Sequence, residues 1–291
     1  MRCTFVNLAA SLLAAASASG AGETPSAQAA DTLIYKRGGG RELKLFIDKP
    51  ANWLPTDKRP AVVFFFGGGW VGGSPTQFLK QSEYLATRGL VGVRVEYRTI
   101  PAGDKGPPTV CCHDAKSALR YVRVQAAKLG IDPQRIAAAG GSAGGHLAAF
   151  TGLVPGLDDP QDDLAVSCRP NALVLFNPVF DNGPGQWGHA RVGERYREFS
   201  PAHNVTKDAP PTIVFLGDGD KLIPVDVLRK FETAMQQAGV RCEARVYPGA
   251  GHGFFNKDAA AAPWFTQTLS ETDKFLASLG WLTGAPSLRV P

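Results

Sequence analysis

Three things are scarce in this chain of 291 residues: cysteine, long apolar runs and clusters of like charge. Its five cysteines include no Cys-x-x-Cys pair, so no ordinary structural zinc site is expected. After the N-terminus no stretch reaches the roughly 18 consecutive apolar residues of a spanning helix, and no membrane span is expected. Lysine and arginine number 31 against 26 acidic residues, and the net charge of +5 is spread along the chain. A nucleic-acid partner requires a basic stripe or cluster, which is missing. Hydrophobic residues at 44% and charged residues at 20% exclude disorder and fibrous assembly. The length accommodates one large α/β domain.

Residues 1–30 carry Arg2, then an apolar and small-residue run over 5–18, then small residues ending in Ala27-Gln28-Ala29-Ala30. This is the pattern of an export signal peptide, with cleavage expected near Ala29 or Ala30 and an earlier alternative at Ala16-Ser17-Ala18. The remainder, 31–291, is expected to be a soluble domain that is secreted or periplasmic. No small-residue lipobox precedes a cysteine, so no lipid anchor is expected. Once Cys3 leaves with the signal, Cys111, Cys112, Cys168 and Cys242 remain, and an oxidising compartment permits disulfides among them. Three complete pairings are open, and adjacent Cys111 and Cys112 are poorly placed to bond each other.

Beyond the signal, short β-branched or aromatic runs alternate with stretches of helical periodicity, as in a βαβ protein. Residues 61–66 are continuously apolar, as a strand covered on both faces of a parallel sheet must be. Residues 90–97, 135–139, 172–176, 212–216 and 243–247 repeat the theme, while 32–35 and 42–47 read as two earlier antiparallel strands. Ala115, Ala118, Leu119, Val122, Ala126 and Leu129 keep a helical period up to Gly130. Pro224 opens a helix with Leu228, Phe231, Met235 and Ala238 on its apolar face; Phe265, Leu269, Leu276 and Leu279 mark a closing one. The polar, Gly-rich segment 178–211 is longer than an ordinary crossover and is expected to form a small cap.

The chemistry centres on Gly140-Gly141-Ser142-Ala143-Gly144, a GxSxG match. Alone the motif is weak, but here it follows a strand and precedes a helical stretch at 146–153. That setting exposes a serine hydroxyl on a sharp, strained turn at the sheet's edge. A serine needs a base and an orienting carboxylate, which in this setting follow it in the order Asp, His. Of the five histidines, His113 precedes the serine, His146 lies one helical turn after it, and His189 and His203 fall in the cap segment. His252, in a Gly-rich turn after the last strand, is the expected base. Asp220 is the preferred acid on reach; Asp218 is expected to cap its own turn, and Asp226 to face the dipole of the following helix. Gly68 and Gly69, after the strand at 61–66, are expected to join Ala143 as oxyanion donors. Trp70 and Trp187 either wall the acyl or sugar pocket or fill the core.

Together these segments carry a resemblance: Gly67-Gly68-Gly69-Trp70, Glu96-Tyr97-Arg98, Asp114, Gly130-Ile131-Asp132-Pro133, the motif running through Gly145-His146, Gly217-Asp218-Gly219-Asp220 and Gly251-His252-Gly253-Phe254. From about Thr32 to Leu282 the chain resembles the α/β-hydrolase superfamily, nearest to bacterial esterases similar to hormone-sensitive lipase and to secreted acetyl or feruloyl carbohydrate esterases. The resemblance implies an α/β fold with an eight-stranded, mostly parallel sheet flanked by helices, a small cap insertion, and a Ser142, Asp220, His252 triad. It implies a serine esterase that cleaves short acyl or aromatic esters, acetyl or feruloyl groups on polysaccharide among them, without metal or organic cofactor. Two alternatives share the fold: a peptidase of the prolyl-oligopeptidase kind and a non-catalytic binding module. The family places His where this chain has Phe66, which leaves the rigidity of the glycine turn and the substrate preference open. Oligomeric state is not readable.

Overall fold

Uniformly apolar strands can only be satisfied by cover on both faces, and that requirement sets the architecture. The structure, a computed structural model, describes residues 1, 31–101, 103–259 and 262–288. The expected signal peptide therefore lies, apart from its first residue, outside the described residues. The strands are β1 (Asp31–Gly38), β2 (Arg41–Asp48), β3 (Arg59–Phe65), β4 (Val91–Val95), β5 (Ile131–Gly141), β6 (Ala172–Phe176), β7 (Thr212–Gly217) and β8 (Cys242–Tyr247). The helices are α1 (Leu79–Thr87), α2 (Thr109–Val124), α3 (Ala143–Leu153), α4 (His189–Val192), α5 (Val225–Gln237) and α6 (Trp264–Ser278).

All eight strands form one sheet in the order β1-β2-β4-β3-β5-β6-β7-β8. β2 runs antiparallel to both β1 and β4, and every other pair is parallel. Alternate residues of the central strands feed two cores. Ala61, Val63, Phe65, Leu173, Leu175 and Val214 pack with α2, α3 and α5; Val62, Phe64, Val174, Phe176 and Phe215 pack with α1 and α6. Each large apolar side chain buried in this way contributes about 1.5–3 kcal/mol.

Buried charges tie the layers at fixed points. Asp114 of α2 accepts hydrogen bonds from the backbone N–H, Nε and Nη2 of Arg98 and lies 3.0 Å from Lys36 Nζ, joining β1, the segment after β4, and α2. The Glu96-Tyr97-Arg98 and Asp114 signature is thus a structural clamp. Among the described residues no helix is long and apolar enough to cross a membrane, and no three His, Cys, Asp or Glu side chains gather as a metal site.

The structure corrects several sequence boundaries. α2 ends at Val124, so Ala126 and Leu129 lie beyond it in turns, although both stay buried. α3 begins directly after Ser142 instead of at His146, since the glycines after the serine enter the first turn. The segment 178–211 holds the four-residue α4 and two 3-10 turns, anchored by buried Phe180, Val192 and Phe199. Cys111, Cys112, Cys168 and Cys242 are free thiols: no disulfide forms among them. Burial pushes Cys111 and Cys242 up to about 12, and raises Cys112 and Cys168 as well. At neutral pH none of the four is a thiolate, the form that thiol chemistry requires.

Candidate active site

β5 ends level with its neighbours, Gly140 opposite Phe65 and Gly141 opposite Phe176, so Ser142 follows directly at the carboxyl edge of the sheet. Ser142 adopts φ +54° and ψ −121°, a conformation that non-glycine residues rarely hold. Three backbone bonds enforce it: its N–H donates to Phe176 O (2.9 Å), and its carbonyl accepts from His146 N–H (2.9 Å) and Val179 N–H (3.2 Å). Gly144 lets the first turn of α3 cross the end of β3, because a Cβ there would lie 2.1 and 2.3 Å from the carbonyl oxygens of Phe65 and Phe66.

The three residues named from the sequence converge. His252 Nε2 lies 2.9 Å from Ser142 Oγ, and His252 Nδ1 lies 2.7 Å from Asp220 Oδ2. A carboxylate can only accept, so the ring proton sits on Nδ1 and Nε2 is left to accept from the serine hydroxyl. Burial works to raise the Asp220 carboxyl, but the imidazole N–H and the N–H groups of Leu222 and Ile223 outweigh it and hold it below the ordinary aspartate value. Asp220 is therefore an anion whenever the imidazole needs one.

Asp218 does not cap its own turn. Its Oδ1 accepts from Gly249 N–H at 2.6 Å and so braces the turn that carries His252. Asp226 pairs with Lys230 on the exposed first turn of α5, at 3.1 Å. The other histidines are held elsewhere: His113 is 4.0 Å from Asp159, His189 Nδ1 bonds Asn182 O, and His203 Nδ1 bonds Ser200 Oγ.

Gly67 N–H is taken by Gln77 Oε1 at 2.6 Å, whereas Gly68, Gly69 and Ala143 donate to no acceptor among the described residues. Gly68 takes φ +124°, and a Cβ there would sit 2.2 Å from Gly72 O, so only glycine can offer its N–H from this position. The N-terminus of α3 adds partial positive charge beside Ser142. Gly67, Gly68, Gly69, Ser142 and His252 line a cavity of about 260 Å³ whose apolar walls are Trp187, Leu222 and Phe255. Of the larger hollows, those of about 430 and 760 Å³ lie along α2 and the segment that follows α3; Arg120 lines both and is paired with Asp158 and Asp162.

Trp70 does not line the cavity. It is fully buried, 5.1 Å from Trp187 and edge-on to His146 at 5.0 Å, so it backs the wall that Trp187 presents. Phe66 replaces a histidine brace with a stack: its ring lies 4.0 Å from that of Tyr97 at 15°, and Tyr97 Oη donates to Phe66 O at 2.7 Å.

Sequence reasoning missed three polar residues of the cavity, Gln77, Asn177 and Asn256. Gln77 Nε2 donates to Asn256 Oδ1 (3.0 Å), Asn256 Nδ2 donates to Gly253 O (2.8 Å), and Asn177 Oδ1 accepts from Gly253 N–H (3.0 Å). Hydrogen bonds thus run from the glycine turn to the histidine turn. The available signal for Asn177 was its place just after the apolar run at 172–176, at a sheet edge where sites gather.

His146 is fully buried and donates Nε2–H to Phe199 O at 2.8 Å; burial, only partly offset by that bond, lowers its pKa from 6.5 to about 4. The unfolded chain takes up this proton near pH 6.5 and the folded one only near 4, so this contribution is intact above 6.5 and lost as pH falls. Its loss is expected to reach about 3 kcal/mol by pH 4. Urea unfolding between pH 7 and 4.5 checks it: His146→Gln should show a shallower decline than wild type, and parallel declines would place the acid sensitivity elsewhere.

The comparisons with known proteins meet this geometry. Residues 49–175 match the BD-FAE family and 193–283 the dienelactone hydrolase family. Esterase 2 of Thermogutta terrifontis in its apo form is 44% identical with a TM-score of 0.83, covering 90% of this chain and 98% of that one. The same esterase has also been solved with propionate bound, with butyrate bound and phosphorylated by paraoxon. Esterase LipC of Mycobacterium tuberculosis is 31% identical over 260 residues, covering 78% of this chain and 63% of LipC. The acetylxylan esterase of Xylanibacter ruminicola is 28% identical over 245 residues, covering 78% of this chain and 46% of its own. This chain thus spans about half to just under two thirds of the length of its curated relatives. With likeness over nearly the whole of a solved esterase, the chain belongs to the α/β-hydrolase superfamily, among its esterases.

Proposed function

We propose that this chain is a serine esterase that hydrolyses short-chain carboxylic esters through an acyl-enzyme. The observation that carries the reading is the line Asp220, His252, Ser142, bonded at 2.7 and 2.9 Å and opening on unpaired backbone N–H groups. Ser142 Oγ attacks the ester carbonyl carbon while its proton passes to His252 Nε2, and the imidazolium returns that proton to the departing alcohol oxygen. Asp220 keeps the ring oriented and steadies its positive charge. The N–H groups of Gly68, Gly69 and Ala143 meet the carbonyl oxygen as it becomes anionic, each worth about 3 kcal/mol in the transition state. Water then repeats the sequence on the acyl-enzyme. Each step is a proton or acyl transfer, and the named side chains supply all of them.

The small, apolar-walled cavity favours short acyl groups, in keeping with the propionate and butyrate held by the Thermogutta esterase. The acetylxylan esterase among the relatives and the expected export signal support acetyl groups on extracellular polysaccharide as natural substrates. With p-nitrophenyl acetate, butyrate and octanoate, kcat/KM is expected to be highest at two to four carbons and to fall about tenfold or more by eight. A flat or rising profile would refute the short-chain assignment. Acetylated xylan and methyl ferulate in the same assay separate acetyl from feruloyl substrates.

A further inference from the structure

Asn177 sits beside the reacting atoms, and acyl transfer as described gives it no task. It follows β6 directly with its backbone at φ +32°, toward the left-handed region that asparagine tolerates better than most non-glycine residues. Strain of this kind persists where the surroundings over-determine it, and it gathers at functional sites. Here Asn177 N–H donates to Phe215 O at 2.7 Å, and Phe176 just before it and Val179 two residues after it hold the backbone of Ser142. The side chain is fully buried, and both ends of its amide face the histidine turn. Oδ1 accepts from Gly253 N–H at 3.0 Å, which fixes the orientation of the amide and places Nδ2 3.3 Å from His252 Nε2. That nitrogen is the one to which Ser142 Oγ donates.

We propose that Asn177 orients the water that hydrolyses the acyl-enzyme while its Oδ1 holds the turn carrying His252; this rests on the esterase reading above. Once Oγ is acylated it no longer donates to Nε2, and the imidazole must take a proton from water instead. A water bonded to Nε2 on the serine side lies within reach of Asn177 Nδ2, because the two nitrogens are only 3.3 Å apart. By accepting an N–H from Nδ2, that water keeps one O–H to direct at Nε2 and a lone pair to direct at the acyl carbon. Its oxygen bonds to that carbon as its proton moves to Nε2. Collapse then breaks the bond between carbon and Oγ, returns the proton to Oγ and releases the carboxylic acid. Asn177 is a positioning residue in this scheme, since it acts through the water and the imidazole.

Stopped-flow hydrolysis of p-nitrophenyl acetate by wild type, Asn177→Gly and Asn177→Asp tests the assignment. Glycine accepts the left-handed backbone, so Asn177→Gly removes the side chain without straining the fold. Aspartate keeps an acceptor for Gly253 N–H but has no N–H for the water. In both variants deacylation is expected to fall about tenfold or more; in Asn177→Asp, which keeps the bond to Gly253, kcat and KM fall together and kcat/KM falls less than about threefold, whereas Asn177→Gly also frees the histidine turn and lowers kcat/KM further. A burst of p-nitrophenolate approaching one per chain should accompany this. A merely structural role would lower kcat/KM as much as kcat. Equal losses of kcat and kcat/KM in Asn177→Asp, or wild-type deacylation in that variant, would overturn the proposal. Failure of the wild type to release p-nitrophenolate at all would overturn the esterase reading on which it stands.

Discussion

Alanine in place of Ser142 is expected to lower kcat/KM for p-nitrophenyl acetate by about 10⁵-fold while leaving the fold intact. The size follows from what the hydroxyl does. In the proposed mechanism it is the atom that bonds to carbon, and no thiol or second hydroxyl is shown bonded to the same imidazole. What survives is the contribution of the donors and of binding, which in triad enzymes leaves a modest residual rate. The backbone at Ser142 is strained with either side chain, because both carry a Cβ, so the change should leave thermal unfolding within a few degrees of wild type. Loss of labelling by a fluorophosphonate, together with the rate, tests the point directly. A variant that kept a tenth of the wild-type rate would remove Ser142 from the mechanism.

Gly144→Ala is expected to cost about 3–5 kcal/mol, seen as a fall of roughly 10 °C in Tm and a lower urea midpoint. Overpacking is often relieved by a neighbouring side chain that swings away, but here no such relief exists. The added methyl would meet Phe65 O at 2.1 Å, Phe66 O at 2.3 Å and Phe65 C at 2.6 Å, all backbone atoms. Either α3 must lift from β3 or the end of β3 must bend, and that end leads straight into the glycine turn. The variant should therefore lose activity even at temperatures where it remains folded. A measured loss below 1 kcal/mol would show that the helix and strand can separate more easily than these contacts indicate.

Gly144 also shows what kind of information the sequence carries. Gly144 is legible because the motif that contains it, strand, sharp turn and helix, lies within a few residues, although the carbonyls that require a glycine there belong to the end of β3. The strands were legible for a similar reason, as residues 61–66 and 172–176 are apolar throughout. Asp220 and His252 could be named from chain order and the position of a strand end. Asn177, Gln77 and Asn256 could not, because their roles rest on bonds across 76 and 179 residues of sequence, between side chains common in any loop. Trp70 was ambiguous for another reason. A tryptophan after a glycine turn gives the same local signal whether it faces a ligand or a neighbour, and only the packing against Trp187 and His146 decides. Local turn chemistry is the default for aspartate and points Asp218 to its own loop, whereas its partner is Gly249 in another loop.

The chain of contacts from Gly67 through Gln77 and Asn256 to Gly253 and Asn177 means that the cavity's polar wall and its catalytic parts are one object. Anyone recutting this pocket to admit a bulkier acyl group would find that Gln77 and Asn256 are poor places to begin. Shortening either would slacken the oxyanion turn and the imidazole at the same moment, so breadth gained there would arrive with a slower catalyst. The side chains of Trp187 and Leu222 stand outside that linkage, and breadth sought through them leaves it undisturbed.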